Sequence, residues 1–176
     1  MRILESERIL LKPVETEDLE FLLTLRWDKD IMNYLIHNPI SMKDQKDWYA
    51  GLKKNDIALS IFQKEDGNMN IMGTIGLYDI SHRHQRAIWR IRIAPKFQGK
   101  GYAKEAIDML LDYGFNTLNL NKIISDSFAE NDAIVNLTLK LGFRQEGLLK
   151  EHYFHRGKYR DAIQFGLLRE EYNRKK

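Results

Sequence analysis

Apolar positions recur along the chain with two periods, and the elements follow from where the period changes. Ile9, Leu10 and Leu11 lie between Arg8 and Lys12 and stop at Pro13, which predicts a first strand. From Glu17 onward, Leu19, Leu22 and Leu23 recur at helical spacing, with Phe21 and Leu25 beside them. Ser41 followed by Asp44 is an N-cap pattern and opens a second short helix carrying Trp48, Tyr49 and Leu52. Ile57 to Gln63 reads as a strand, Asp66-Gly67 as a hairpin turn and Asn70 to Tyr78 as the returning strand. Arg86 to Ile93 is a fourth strand, ended by Pro95. A helix is predicted over 102–115, with Ala103, Ala106, Ile107, Leu110 and Leu111 on one face and Lys104, Glu105, Asp108 and Asp112 on the other. Ile123 to Phe128 is a strand, and Asn131 to Leu141 a short helix stopped by Gly142. Two antiparallel segments, 144–153 and 159–168, close the chain, with Arg156-Gly157 between them. The order β-α-α-β-β-β-α-β-α-β-β predicts an α/β (α+β) layer fold, about four helices flanking a mixed, mostly antiparallel sheet of about seven strands.

Composition narrows the class. The 176 residues contain no internal repeat and no Pro/Gly/Ser linker, so a single domain over 1–176 is expected. With 43% hydrophobic and 30% charged residues the chain is globular rather than disordered. No apolar run approaches the ~18 residues of a membrane span. Residues Met1 to Arg8 mix acids and bases without an apolar signal core, so a cytoplasmic location and no membrane partner are expected. The absence of cysteine excludes disulfides, thiolate zinc sites and cysteine nucleophiles. The net charge of +3, partly a solvated tail Arg174-Lys175-Lys176, suits a phosphate-bearing ligand and does not favour a polycation.

The most informative stretch runs from Ile91 to Ala106, where a strand ends, a Gly-rich loop turns and an amphipathic helix begins. The first N–H groups of such a helix lack partners, and its dipole places partial positive charge there. Gly99 and Gly101 let the backbone approach a ligand closely, so the loop predicts an anion site for a pyrophosphate. It is neither a nucleotide P-loop nor a Rossmann fingerprint, since the Lys-Ser/Thr pattern and the third glycine are both absent.

Gln98-Gly99-Lys100-Gly101-Tyr102-Ala103 resembles the GNAT signature Gln/Arg-x-x-Gly-x-Gly/Ala, which in that family wraps the pyrophosphate of CoA. Downstream, Asn131 to Lys140-Leu141-Gly142-Phe143 is similar to the family's Asn-to-Lys-x-Gly-Phe stretch. Tyr153 to Asp161 resembles the closing hairpin of the branch containing spermidine and ribosomal-protein N-terminal acetyltransferases. The resemblance implies a GNAT fold and an acetyl-CoA-dependent N-acetyltransferase. It also implies that backbone groups of Ile91, Arg92 and Ile93, on a strand splayed from its neighbour, pair with the pantetheine arm, as an added strand would. Asn131 is expected to bond the arm from the other side, with Asn136 and Lys140 as further candidates.

Direct transfer needs a neutral amine, help for its proton, a donor for the oxyanion and a proton for the leaving thiolate. A backbone N–H of 91–93 suits the oxyanion. Many family members use a glutamate on the fourth strand and a tyrosine on the later helix; those positions align with Ile88 and Thr138 here. Catalysis is therefore expected to rest on positioning, which can remove ~7–11 kcal/mol of barrier. Thr138 is a poor acid by itself, and Asp79 and Glu130 are the acids expected to face the cleft. Strand alternation puts Arg90 and Arg92 on the face of Ile88, which makes Ile88 and Arg90 candidate acceptor contacts.

The expected partner is a small-molecule amine or a peptide N-terminus, with a homodimer left open, and neither nucleic acid nor metal. The pairs His82/His84 and His152/His155 could ligate a metal, but the first has no acidic or cysteine neighbour and loop histidines are more often solvated. A polyamine or an amino-sugar nucleotide is the alternative acceptor, although Met32 to Pro39 carries no acidic cluster for a polycation. A non-catalytic CoA- or nucleic-acid-binding module is the alternative from another class.

Overall fold

The computed structural model describes residues 4–34, 40–65 and 67–174. Asp66 of the hairpin turn, most of the 32–39 segment and the last two lysines of the tail therefore lie outside the described residues. One eight-stranded sheet has the order β1-β2-β3-β4-β5-β6-β8-β7. The strands are β1 (Leu4–Glu5), β2 (Ile9–Pro13), β3 (Ile57–Glu65), β4 (Asn68–Ser81), β5 (Arg86–Ile93), β6 (Lys122–Phe128), β7 (Arg144–His155) and β8 (Lys158–Leu168). All neighbours run antiparallel except β5 and β6, which are parallel.

Six helices accompany the sheet: α1 (Leu19–Trp27), α2 (Lys29–Met32), α3 (Met42–Ala50), α4 (Tyr102–Asp112), α5 (Asp132–Leu141) and α6 (Arg169–Asn173). The two-residue β1, the one-turn α2 and the terminal α6 exceed the expected counts, being too short to leave a periodic signature. The Ser41 cap forms as the sequence predicts: Asp44 N–H donates to Ser41 Oγ at 3.2 Å and Ser41 N–H to Asp44 Oδ2 at 2.7 Å. Helix α4 stops earlier than its apolar stripe and widens into a π-helical segment, Tyr113–Thr117. Gly114 sits there against the sheet, where a Cβ would come within 2.8 Å of Ile123 Cδ1 and 3.3 Å of Leu77 Cδ1.

The core lies between the sheet and its helices, with Ile9, Leu11, Leu59, Ile61, Met72, Ile75 and Leu77 meeting Leu19, Leu22, Ile107, Leu110 and Phe115. Five consecutive residues of β3, Ala58 to Phe62, are buried, as both faces of a central strand require. The segment after α4 covers the face that carries Leu77. Arg26 and Trp48, from α1 and α3, lie on the opposite face, that of Tyr78. Strand β4 runs beyond Tyr78 through a bulge, where Asp79 takes φ +49°. At the far end, Arg156 and Gly157, both with positive φ, make the two-residue turn between β7 and β8.

Candidate active site

The parallel junction is short. Strands β5 and β6 pair only at Arg86–Lys122, Ala87–Ile123 and Ile88–Ile124. Beyond Ile88, β5 stays with β4 up to Ile93, while β6 stays with β8 up to Phe128, so the sheet opens into a gap. Ala94 N–H donates to Met72 O at 2.9 Å, toward β4. Backbone groups alternate along a strand, so those of Arg92 and Arg90 also turn to β4, and those of Ile91 and Ile93 turn into the gap. Of the predicted backbone triplet, Ile91 and Ile93 thus face the opening and Arg92 does not. The Ile93 carbonyl is taken by Gln98, whose Nε2 donates to it at 2.9 Å. Gln98 therefore braces the loop from within.

At the mouth of the gap Gly99 and Gly101 hold φ +72° and +85°, a region costly for other residues. Gly101 is the N-cap of α4 and offers no side chain, so the N–H groups of Tyr102, Ala103 and Lys104 open the helix without a cap. Lys100 has no ion-pair partner among the described residues, whereas Lys104 is tied to Asp108 at 2.6 Å. A residue that sequence reasoning missed completes the loop. Arg8 donates to Lys100 O at 3.2 Å, binds the Glu105 carboxylate and stacks 4.9 Å from the centre of the Tyr102 ring. Ser6 donates to the same carboxylate. Glu105 is the acid in the first turn of α4, and this pairing offsets its charge beside the expected pyrophosphate.

Across the gap, Asn131 caps α5, its Oδ1 accepting from Ile134 N–H at 3.4 Å. Its side-chain amide donor is left for another partner. Asn136 and Lys140 are exposed on the same helix. Thr138 is 1% exposed, and its Oγ1 has no hydrogen-bond partner among the described residues. An orphaned buried hydroxyl costs about 1–3 kcal/mol. Uncapped N–H groups over two glycines, free strand amides in a gap and this orphan all fit a bound CoA thioester.

The other predicted acids are engaged. Asp79 at the β4 bulge pairs with Lys53, which holds its carboxyl below the usual range. Glu130 pairs with Arg160. Asp126 was not anticipated. Ile124 pairs with Ile88, so Ile124, Asp126 and Phe128 share the face of Ile88, Arg90 and Arg92. The Tyr153 hydroxyl donates to Asp126, and burial together with this bond pushes the phenol up. Phe128 packs against Tyr34, Tyr153 and His155, with ring centres 6.4, 5.4 and 5.4 Å away. A carboxylate beside this aromatic wall suits an ammonium group. A charged residue in mid-strand, between Ser125 and Ser127, was the available signal. No group of three or more acids and histidines that could hold a metal occurs among the described residues.

The profile of the GNAT acetyltransferase domain matches residues 8–144. The chain belongs to the GNAT acetyltransferase family. Among its GNAT relatives, the spermidine N(1)-acetyltransferase of Vibrio cholerae is 34% identical over 95% of this chain and 96% of that protein. The spermidine N(1)-acetyltransferase of Escherichia coli K12 is 33% identical over 95% and 89%. A putative ribosomal N-acetyltransferase of Bacillus subtilis is 26% identical over 97% of each chain. The crystal structure of the Vibrio enzyme in complex with CoA and spermine superposes with a TM-score of 0.88, covering 96% of this chain and 99% of that one at 31% identity. The mixed sheet and flanking helices expected from the sequence are thus those of a GNAT fold. No helix among the described residues is long and apolar enough to cross a membrane.

Proposed function

We propose that the chain works in the cytoplasm as one N-acetyltransferase domain, passing an acetyl group from acetyl-CoA directly to the primary amine of a small molecule. The observation that carries this reading is the three-pair β5–β6 junction, which opens onto an uncapped helix start behind two positive-φ glycines. Acetyl-CoA supplies the activated acyl group and takes away the thiol. The N–H groups of the 99–104 loop would hold its diphosphate, and Ile91, Ile93 and Asn131 its arm. An Ile91 or Ile93 N–H is placed to stabilise negative charge on the carbonyl oxygen as the amine nitrogen bonds to carbon and the C–S bond breaks. Asp126 and the rings around it orient the amine, and the Asp126 carboxylate accepts its proton directly or through water. Asp79 and Glu130, each in an ion pair, are weaker candidates for that role. Thr138 offers its unpaired hydroxyl to the sulfur side without acting as an essential acid.

A polyamine is a second reading, favoured by the spermidine N-acetyltransferases among the relatives. A peptide N-terminus rests on the more distant ribosomal relative. Incubation with acetyl-CoA and a panel of amines and peptides should release CoA above the hydrolysis background. No release with any acceptor, together with tight salt-sensitive binding of nucleic acid, would overturn the reading in favour of a non-catalytic module.

A further inference from the structure

We propose that Arg26, Arg90 and Arg92 form an anion subsite around Tyr78, so that the preferred acceptor is a primary amine that also carries a phosphate or a carboxylate. The inference rests on the acetyl-transfer reading and names its substrate class.

The placement follows from register. Tyr78 pairs with Ile88, Gly76 with Arg90 and Thr74 with Arg92, so these side-chain positions share one face of the sheet. A Cβ at Gly76 would lie 2.3 Å from Ile57 O and 2.9 Å from two Tyr78 ring atoms. The missing side chain therefore lets the Tyr78 ring lie across the strand beside the arginines. Arg26 reaches the same face from α1, with its guanidinium 5.7 Å from the centre of the Trp48 ring.

No acid lies in an ion pair with this group among the described residues, although Arg90, after Lys53, helps lower the pKa of the Asp79 carboxyl. Ten ion pairs occur among the described residues, and none involves Arg26, Arg90 or Arg92. The buried Nε of Arg26 has no hydrogen-bond partner among the described residues. The neighbouring acids bond other groups. Asp79 pairs with Lys53, Asp56 accepts the backbone N–H groups of Asp79 and Lys53 at 3.0 and 3.2 Å, and Asp126 accepts from Tyr153. Residues 35–39 contain no Asp or Glu in the sequence.

Unpaired cations beside one another are costly where they are partly buried, as Arg26 and Arg92 are, and burial followed by the repulsion of Arg26 pulls Arg92 down to about 10. Burial also lowers Arg26. A bound anion relieves both effects at once, and the planar guanidinium fork matches phosphate and carboxylate oxygens bidentately. The cluster borders the proposed amine subsite, since Asp126 lies on the same face of the sheet as Ile88, Arg90 and Arg92. One ligand with an ammonium at Asp126 and an anion at the arginines satisfies both. A polyamine presents only cations to this face.

Isothermal titration in the presence of CoA tests the subsite apart from turnover. The probes are glucosamine 6-phosphate against glucosamine, an N-terminally free aspartyl dipeptide against its uncharged diamide, and spermidine. We expect at least one anionic probe to bind about 10-fold or more tighter than its uncharged parent, with the better arm identifying phosphate or carboxylate. Arg92→Met should erase that preference while acetyl-CoA affinity is retained. Should Arg92→Met fail to fold, Arg90→Gln at its exposed position carries the same test. Equal affinity for charged and uncharged probes, or tighter binding of spermidine that neither variant weakens, overturns the subsite. CoA release with spermidine alongside such a result would leave the acetyl-transfer reading standing. An anion preference without turnover would do the reverse.

Discussion

The two sides of the gap recognise by different means. On the side proposed for the donor the chain presents backbone: amides at Ile91 and Ile93, an uncapped helix start and two glycines with positive φ. On the side proposed for the acceptor it presents side chains: Asp126 with Tyr153, the rings around Phe128 and three guanidinium groups outside any ion pair among the described residues. Backbone donors bind phosphate whatever residues carry them, so the donor site depends on spacing and conformation alone. The acceptor site depends on which side chains arrive there from separate strands and helices. Similarity in fold to the spermine-bound Vibrio enzyme therefore transfers the donor more securely than the acceptor.

Mutations can break each side separately. The largest effect is expected for Gly101→Glu, which strains a φ of +85° and puts negative charge at the start of α4. Acetyl-CoA affinity should fall roughly 100-fold by titration; wild-type affinity would show that the loop does not hold the diphosphate. Next is Asp126→Asn. It should lower kcat/KM for the amine by about 100-fold with acetyl-CoA affinity unchanged, and a variant as fast as wild type would remove Asp126 from the site. Thr138→Val should lower kcat by less than about 10-fold, since a larger loss is the usual mark of an essential acid. The same change should raise Tm by a few degrees, because the orphaned hydroxyl is gone.

The smallest effect is expected for Asp79→Asn. The Lys53 partner lowers the Asp79 pKa, so its contribution to stability is present above the ordinary carboxylate pKa of about 3.9 and fades as pH falls through the lowered value. A small loss of Tm at pH 7 should thus shrink as pH falls through the lowered value, with kcat/KM within about twofold of wild type at neutral pH, as for an exposed ion pair. A large loss of kcat/KM would move the base from Asp126 to the β4 bulge.

What could be read from the sequence was local. The Ser41–Asp44 cap, the glycines of the loop and the Gly142 stop, at φ +101°, each act within a few residues and fold as expected. The π-helical turn at Tyr113 could not be read this way: it has no local signature, and Gly114 within it sits where a Cβ would meet Leu77 and Ile123, residues distant in sequence or across the sheet. Strand alternation put Arg90 and Arg92 on one face, yet Arg26 joins them only through the packing of α1. Asp126 and Tyr153 sit 27 positions apart and meet through β8, which pairs with both of their strands. Whether an acid is free or engaged is likewise a tertiary fact: Asp79 and Glu130 find their cations 26 and 30 positions away.

The contact between Arg8 and Glu105 joins residues 97 positions apart. During synthesis the first turn of the chain must wait for α4 to emerge before the phosphate loop acquires its last support. The entropic cost of so long a closure is modest, since each doubling of loop length adds only about 0.6 kcal/mol. The consequence is one of timing and access. The proposed donor site joins Arg8 to the loop at 98–105, and a bulky fusion ahead of Ser6 would act on cofactor affinity while leaving the core, and hence the melting temperature, almost untouched.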